Sequence, residues 1–301
     1  MKYTLLIILT KVGEGIQKLK LKNDLRIEAI KKEDISTKFN FLKKSNGSSF
    51  DIMHYMWENN ALNSKNNKVY IITKLFDLEE ENSKNHLKGI NEFGAIQKEL
   101  ISGYIDLLIT KLRLFKGGNV GYLNYHFYTE DGTHMWTGNS FATEWGIDYE
   151  LVDEKEIEKC NYFLENINLP HDGRLKIAID NFNQSYNKIL YELQFMSLMM
   201  TMESLYSKNP VEATFRLTRN CAIFISETKD EAEAIYNDFN RLYKMRSHLI
   251  HGRIKGIEYK EVLTLREYVR RSIVRYLLSR KNSDAIIEEL DKLGFGDYNK
   301  I

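Results

Sequence analysis

Residues 228–253 read TKDEAEAIYNDFNRLYKMRSHLIHGR. Thr228 followed three residues later by Glu231 has the form of a capping box, which opens a helix. From there Ile235, Phe239, Leu242, Met245 and Leu249 recur at three- and four-residue steps, so they line one helical face. Gly252 is the residue type that stops a helix. The stretch predicts one long amphipathic helix, and its apolar stripe must be covered by other elements.

The segments around it have the same period. Arg174–Ser207 predicts one long helix or a kinked pair, striped by Ile179, Phe182, Tyr186, Ile189, Leu193, Met196, Met200 and Met202. The methionines read as core filling. Asn209-Pro210-Val211-Glu212 is a second strong helix start, with a cap residue, a proline at the first helical position and a glutamate after it. A helix over about Tyr259–Arg280 would bury Val262, Leu265, Val269, Ile273 and Leu277, and a short one would cover Asp284–Leu293. Residues 174–301 thus predict an all-α bundle of four or five helices.

The first half reads differently. Tyr3–Leu9, Val69–Phe76 and Tyr122–Thr129 are apolar or alternating runs of strand length. In the last, Tyr122, Asn124, His126 and Tyr128 alternate with Leu123, Tyr125 and Phe127. Asp131-Gly132 is a hairpin signal, with Thr133–Thr137 as the returning strand. One helix is expected from Ile96 to Leu112, with Leu100, Ile101, Tyr104, Leu107, Leu108 and Leu112 on one side. Lys43–Ser49 and Asp77–Asn91 are polar and read as loops. The fold class is therefore α+β: a strand-rich mixed domain over 1–150, a linker region over 151–173 and a helical domain over 174–301. Glu154, Glu156 and Glu158 start a short helix within the linker, and Leu169-Pro170-His171-Asp172-Gly173 is a turn.

Composition sets the outer limits. The chain has 301 residues, 43% hydrophobic and 28% charged, with a net charge of +1. No apolar run reaches the eighteen or so residues of a membrane span, and Tyr3–Leu9 reads as a strand, not as a signal peptide. Cys160 and Cys221 are far apart and lack metal spacing, so the expectation is a reduced, cytoplasmic protein. Gly13-Glu14-Gly15 lacks the rest of a nucleotide fingerprint. His126, His134 and Trp136 suggest a pocket, but with no third ligand they do not predict a metal site. No cofactor is expected.

Charge is unevenly placed. Residues 241–280 hold eleven Lys and Arg against three Asp and Glu, leaving 32 basic and 39 acidic residues elsewhere. A basic segment on an acidic body suits phosphate binding, and it suits a solvated helix face as well. Within it lie Arg246 and His251. Arginine presents a planar donor fork to phosphate, and histidine moves a proton near neutral pH. Average composition yields an Arg and a His at this spacing in roughly a third of chains this long, so the surroundings have to decide. Arg241 and His248 form a second, overlapping pair seven residues apart, read as substrate contacts together with Arg253; a packed or surface histidine is the other reading of His248. Glu203 falls on or beside an apolar stripe and needs a cationic partner, with Arg216 and Arg246 as the candidates.

Leu242-Tyr243-Lys244-Met245-Arg246-Ser247-His248-Leu249-Ile250-His251-Gly252, late in the third helix of a bundle and followed by a basic helix, resembles the HEPN superfamily. Its Tyr-x-x-Arg-Ser-x-x-x-His-Gly form is similar to the ApeA-like branch. Thr201-Met202-Glu203-Ser204-Leu205 resembles that branch's Leu-Glu-x-Leu helix, and Arg216 and Arg219 stand where it carries arginines. Leu112-Arg113-Leu114-Phe115-Lys116-Gly117 is similar to a segment of the strand-rich domain that precedes this HEPN type. The resemblance covers about 174–280 well and 100–128 loosely. The superfamily often has Asn, Asp or His after the motif arginine, where this chain has Ser247.

The resemblance implies a metal-independent endoribonuclease of bacterial defence, abortive infection or toxin systems. Arg246 and His251 would be catalytic, with Ser247, Glu203 and Tyr243 supporting and Arg216 and Arg219 contacting substrate. The substrate would be tRNA, mRNA or rRNA. It also implies a homodimer through the helical domain, with the first domain sensing a phage or host trigger and no membrane involved. Positions five apart on a helix lie about 140° apart around its axis, so two facing copies would gather Arg and His better than one. Two other readings stand beside this one. In one, the helical domain binds RNA or a nucleotide without cutting it. In the other, it is a structural dimer in which Arg246 locks to Glu203.

Overall fold

The computed structural model describes residues 2–42, 51–58, 60–77, 94–95, 97–129, 135–139, 146–170, 173–187, 190–207, 213–253, 256–279, 281–294 and 297. The fold is α+β, and the chain divides into two compact units, Met1–Asn166 and Ile167–Ile301.

The first unit is built on an antiparallel sheet. Its strands are Lys2–Thr10 (β1), Arg26–Lys31 (β2), Leu62–Asn63 (β3), Lys68–Asp77 (β4), Gly121–Thr129 (β5) and Met135–Asn139 (β6). The order is β2-β4-β1-β5-β6, with β3 beside β4. Leu5, Leu6, Ile7 and Ile8 of β1 are all fully buried, because both faces of the sheet are covered. This is why β1 reads as an unbroken apolar run, not an alternation. Leu5, Ile7 and Leu9 pack with Tyr70, Ile72 and Phe127 on one face. Leu6 and Ile8 pack with Val69, Ile71, Phe39 and Met56 on the other, under the short helices Ile35–Lys38 (α1) and Ile52–Glu58 (α2).

The alternation expected along β5 breaks at a bulge. Ile7 pairs with Tyr125 but Leu9 with Tyr122, so two β5 residues oppose Ile8. Tyr122 therefore joins Tyr125 and Phe127 on one face, and Leu123 turns to the other. The returning strand is β6, in register with β5 from Asn124↔Asn139 to Tyr128↔Met135. The Asp131-Gly132 turn and His134 lie outside the described residues, as do Lys43–Ser49 and the Asp77–Asn91 loop beyond Asp77 itself.

The single helix expected from Ile96 is in fact two kinds of turn. Gln97–Ile105 is a π-helix, and Asp106–Phe115 (α3) continues as an α-helix. The wider π turn accommodates the five-residue step from Leu100 to Ile105, both buried against the sheet. Beyond it the normal period buries Leu108, Ile109 and Leu112 and leaves Leu107 exposed, a correction to the expected stripe.

Residues 151–173 are not simply a linker. Glu154–Asn166 (α4) buries Ile157 and Cys160 in the first core, and Lys116 Nζ bonds Glu156 at 2.7 Å. The unit boundary falls after α4, at Asn166 and Ile167.

The second unit is all helical: Gly173–Gln184 (α5), Tyr191–Tyr206 (α6), Ala213–Ile225 (α7), Lys229–Ile250 (α8), Tyr259–Ser279 (α9) and Ser283–Leu290 (α10). Between α5 and α6 the chain turns at Ser185, whose hydroxyl donates to Phe182 O. That break resets the helical phase. Ile179, Phe182 and Tyr186 are buried as expected, but in α6 the core face is Phe195, Leu198, Met199, Met202 and Leu205. Leu193 and Met200, placed on the stripe by continuity with α5, are exposed. Ile189 and the Asn209-Pro210-Val211-Glu212 start lie outside the described residues. In α9 the buried stripe ends on Tyr276, with Leu277 half-buried beside it. Among the described residues no helix is long and apolar enough to cross a membrane.

Candidate functional site

Helix α8 begins as its sequence requires. Thr228 accepts the Glu231 amide at 3.1 Å, and the Glu231 carboxylate accepts the Glu227 amide at 2.7 Å, so two otherwise orphaned amides are satisfied. Ile235, Phe239 and Leu242 are buried. The last two turns leave the core, with Met245, Arg246 and Leu249 half-buried and Ile250 exposed.

The end of α8 is fixed by a Schellman motif. The Arg253 amide donates to His248 O at 2.8 Å, and the Gly252 amide donates to Leu249 O at 3.1 Å. Gly252 takes φ +63°, and a Cβ there would meet no atom within 4 Å. A Gly252→Ala change should therefore cost only the left-handed backbone strain, roughly 1 kcal/mol. This should appear as a fall in Tm of about 4 °C in a melting curve.

His251 is the C-cap of α8 and is exposed. Its backbone amide bonds Ser247 O at 3.1 Å, which ties the two residues through the backbone. The imidazole has no side-chain partner among the described residues.

Arg246 is held from two helices. Its Nη2 lies 3.0 Å from Glu203 Oε1 on α6. The Tyr243 hydroxyl donates to the same Glu203 oxygen at 3.4 Å, and the Arg246 guanidinium sits 5.5 Å from the Tyr243 ring centre. The carboxylate on the α6 stripe thus finds its cation in Arg246. Arg216, the other candidate, instead reaches Asp291 Oδ2 at 3.3 Å. Arg246 Nε is buried without a hydrogen-bond partner. The guanidinium is oriented but still has donor capacity to spare.

Of the remaining expected substrate contacts, Arg241 and Arg219 are engaged by other side chains, while His248 and Arg253 flank His251. Arg241 bonds Asp238 at 2.9 Å and reaches Glu261 at 3.5 Å. Arg219 donates to the neighbouring Asn220 side chain. His248 and Arg253 are exposed near the end of α8.

The basic segment is not one open cationic face. Arg266 is 5% exposed, donates to Gln194 Oε1 and Ser185 O, and lies over the Tyr186 ring. Arg270 pairs with Glu267, Arg271 with Glu231, and Lys260 with Glu258. The Arg275 guanidinium stands 5.4 Å from the Phe224 ring centre. The count over 241–280 includes Glu258 and Glu267 but not Glu203, Glu231 and Asp238, which come from α6 and from earlier turns of α8. Among the arginines, buried Arg266 was the least visible. Its one local signal was its place on the apolar stripe, one residue after Leu265.

Of the pocket suggested by His126, His134 and Trp136, the described residues place only the His126 side chain. His126 is buried in the sheet, edge-on to Phe41, and burial pushes its imidazole down to about 4. The His134 and Trp136 side chains lie outside the described residues. Among the described residues no three His, Cys, Asp or Glu side chains are grouped to hold a metal. Cys160 and Cys221 are buried, and burial pushes both thiols up to about 12, which suits structural cysteines.

Comparison with models of known families, with curated proteins and with solved structures finds no match to this chain.

Proposed function

We propose that the helical unit is a HEPN-type, metal-independent endoribonuclease, working as a homodimer in a bacterial defence or toxin system. The observation that carries the proposal is that one helix end bears both an oriented arginine and a histidine whose imidazole has no partner among the described residues. Glu203 and Tyr243 aim Arg246, and the Gly252 motif fixes His251 in solvent one and a half turns on. In the proposed reaction one His251 takes the proton from the ribose 2′-hydroxyl. The 2′-oxygen then attacks phosphorus, and the 5′-oxygen leaves with a proton from the partner's His251. Arg246 neutralises the charge that grows on the phosphoryl oxygens. The products are a 2′,3′-cyclic phosphate and a free 5′-hydroxyl. Met200 and Ile250 are half-exposed, one turn before Glu203 and one turn after Arg246 on their helices. They supply apolar surface for a two-fold contact there.

A second reading is favoured by the Glu203–Arg246 pair itself: a structural lock between α6 and α8. The two are separable. Full-length protein would be incubated with RNA in EDTA, and the 3′ ends of the fragments identified. The nuclease reading expects cyclic phosphate ends and a loss of about 100-fold for Arg246→Ala. The lock reading expects intact RNA and an Arg246→Ala Tm about 4 °C lower, since a half-exposed pair is worth about 1 kcal/mol. RNA left intact by the wild-type chain would sink the nuclease reading.

A further inference from the structure

Arg241, Arg246, Arg270 and Arg271 of α8 and α9 each reach a carboxylate at 3.0 Å or less. Arg266 lies deeper than any of them, at 5% exposure, and its hydrogen bonds among the described residues go to neutral oxygens. Nη2 donates to Gln194 Oε1 at 2.8 Å and to Ser185 O at 3.2 Å. Ser185 follows the end of α5, so its carbonyl supplies part of a negative charge. The Tyr186 ring, whose centre is 4.2 Å from the guanidinium, supplies a little more. A guanidinium cannot shed its proton to escape burial, and none of these partners carries a full charge. Nε and Nη1 are buried with no hydrogen-bond partner among the described residues.

A further donor stands beside this one. The Tyr259 hydroxyl is also buried without a hydrogen-bond partner among the described residues. Burial raises its phenol above the ordinary range and the Arg266 charge opposes the rise, so the two groups are neighbours. Tyr191, 37% exposed, packs its ring 5.2 Å from that of Tyr259, which leaves the cluster one side chain in from solvent.

The unused donors select the ligand. Arginine grips a carboxylate or a phosphate through two parallel N–H groups, and both such pairs in a guanidinium include Nη2. Nη2 is taken, so Nε and Nη1 are left as single donors on different edges of the group. A single-point acceptor suits them better than an oxyanion. Water would accept from either but leave the charge as it is, whereas a halide accepts and neutralises. We propose that Arg266 and Tyr259 hold a buried chloride ion, seated against one guanidinium N–H and the phenol O–H. The ion would tie α9 to the turn between α5 and α6. The site does not depend on the nuclease reading.

The test uses full-length protein titrated with sodium chloride, with sodium gluconate holding the ionic strength. The width of the chloride NMR line and the melting temperature are followed together. Bound chloride that exchanges with the bulk broadens the line, and the excess width should saturate. For a Kd of about 10 mM, replacing about 0.2 M gluconate by chloride should raise Tm by roughly 6 °C. Arg266→Gln keeps a polar side chain without the charge, and it should lose the saturable broadening and most of the rise in Tm. Tyr259→Phe removes only the O–H and should weaken chloride affinity at least about threefold. It carries the test by itself if Arg266→Gln does not fold. A wild type with no saturable broadening, the result expected of water at these donors, overturns the proposal. So does a chloride affinity that Tyr259→Phe leaves unchanged, or one that survives in folded Arg266→Gln.

Discussion

His251→Ala is expected to reduce RNA cleavage by about 10³-fold while moving Tm by less than about 1 °C. Both halves follow from the position of the side chain. His251 sits beyond the last helical turn, exposed, and among the described residues it is bonded through its backbone amide alone. Its removal opens no cavity, and it breaks no ion pair among the described residues, so stability has little to lose. If it carries the proton in the cleavage step, the rate has almost everything to lose. The measurement is a single-turnover time course on a labelled RNA, run beside a melting curve of the same preparation. Cleavage that survives in His251→Ala would place the chemistry elsewhere. A large fall in Tm would mean that the residue holds structure together.

The second large effect lies in the sheet. His126 is 1% exposed, and burial holds its imidazole at about 4 against an ordinary 6.5. Between those values the unfolded chain takes up a proton that the folded chain refuses. Stability is therefore fully present above pH 6.5 and is lost as the pH falls toward 4. The full difference is worth roughly 3 kcal/mol. Hydrogen-exchange protection of β1 and β5 amides, followed from pH 7 to pH 4, should fall by about that amount in wild type. His126→Phe, which keeps a ring against Phe41, should flatten this part of the profile. Profiles that fall in parallel for both proteins would show that another group dominates.

What the sequence disclosed and what it withheld divide along physical lines. The helix from Thr228 to Gly252 was legible end to end because cap, stripe and stop are all local signals. The strand at Tyr3–Leu9 was legible as an apolar run, and Glu203 as a carboxylate that needed a cation. Which cation it would find was not legible, since Arg216 and Arg246 are equally plausible until α6, α7 and α8 are packed. β2 went unseen because Arg26, Glu28 and Lys31 interrupt its apolar residues, as suits a strand with one sheet neighbour. The π turn of residues 97–105 shows no propensity signal; the sheet beneath selects it. The basic segment misled in the opposite direction, since a count within 241–280 is blind to Glu203, Glu231 and Asp238, which pair with its arginines from outside it.

The central place of β1 bears on how the first unit reaches its fold. Ile7 is flanked by Ile72 on one side and Tyr125 on the other. No hairpin can form early around this strand, and its apolar side chains stay unprotected until distant segments arrive. Such non-local pairing slows assembly, while a bundle of sequence-adjacent helices closes quickly. The two halves of this chain should thus mature at different speeds, with the helical half ready first. During that interval the strand is the chain's most adhesive segment, and conditions that slow sheet closure should favour aggregation through β1.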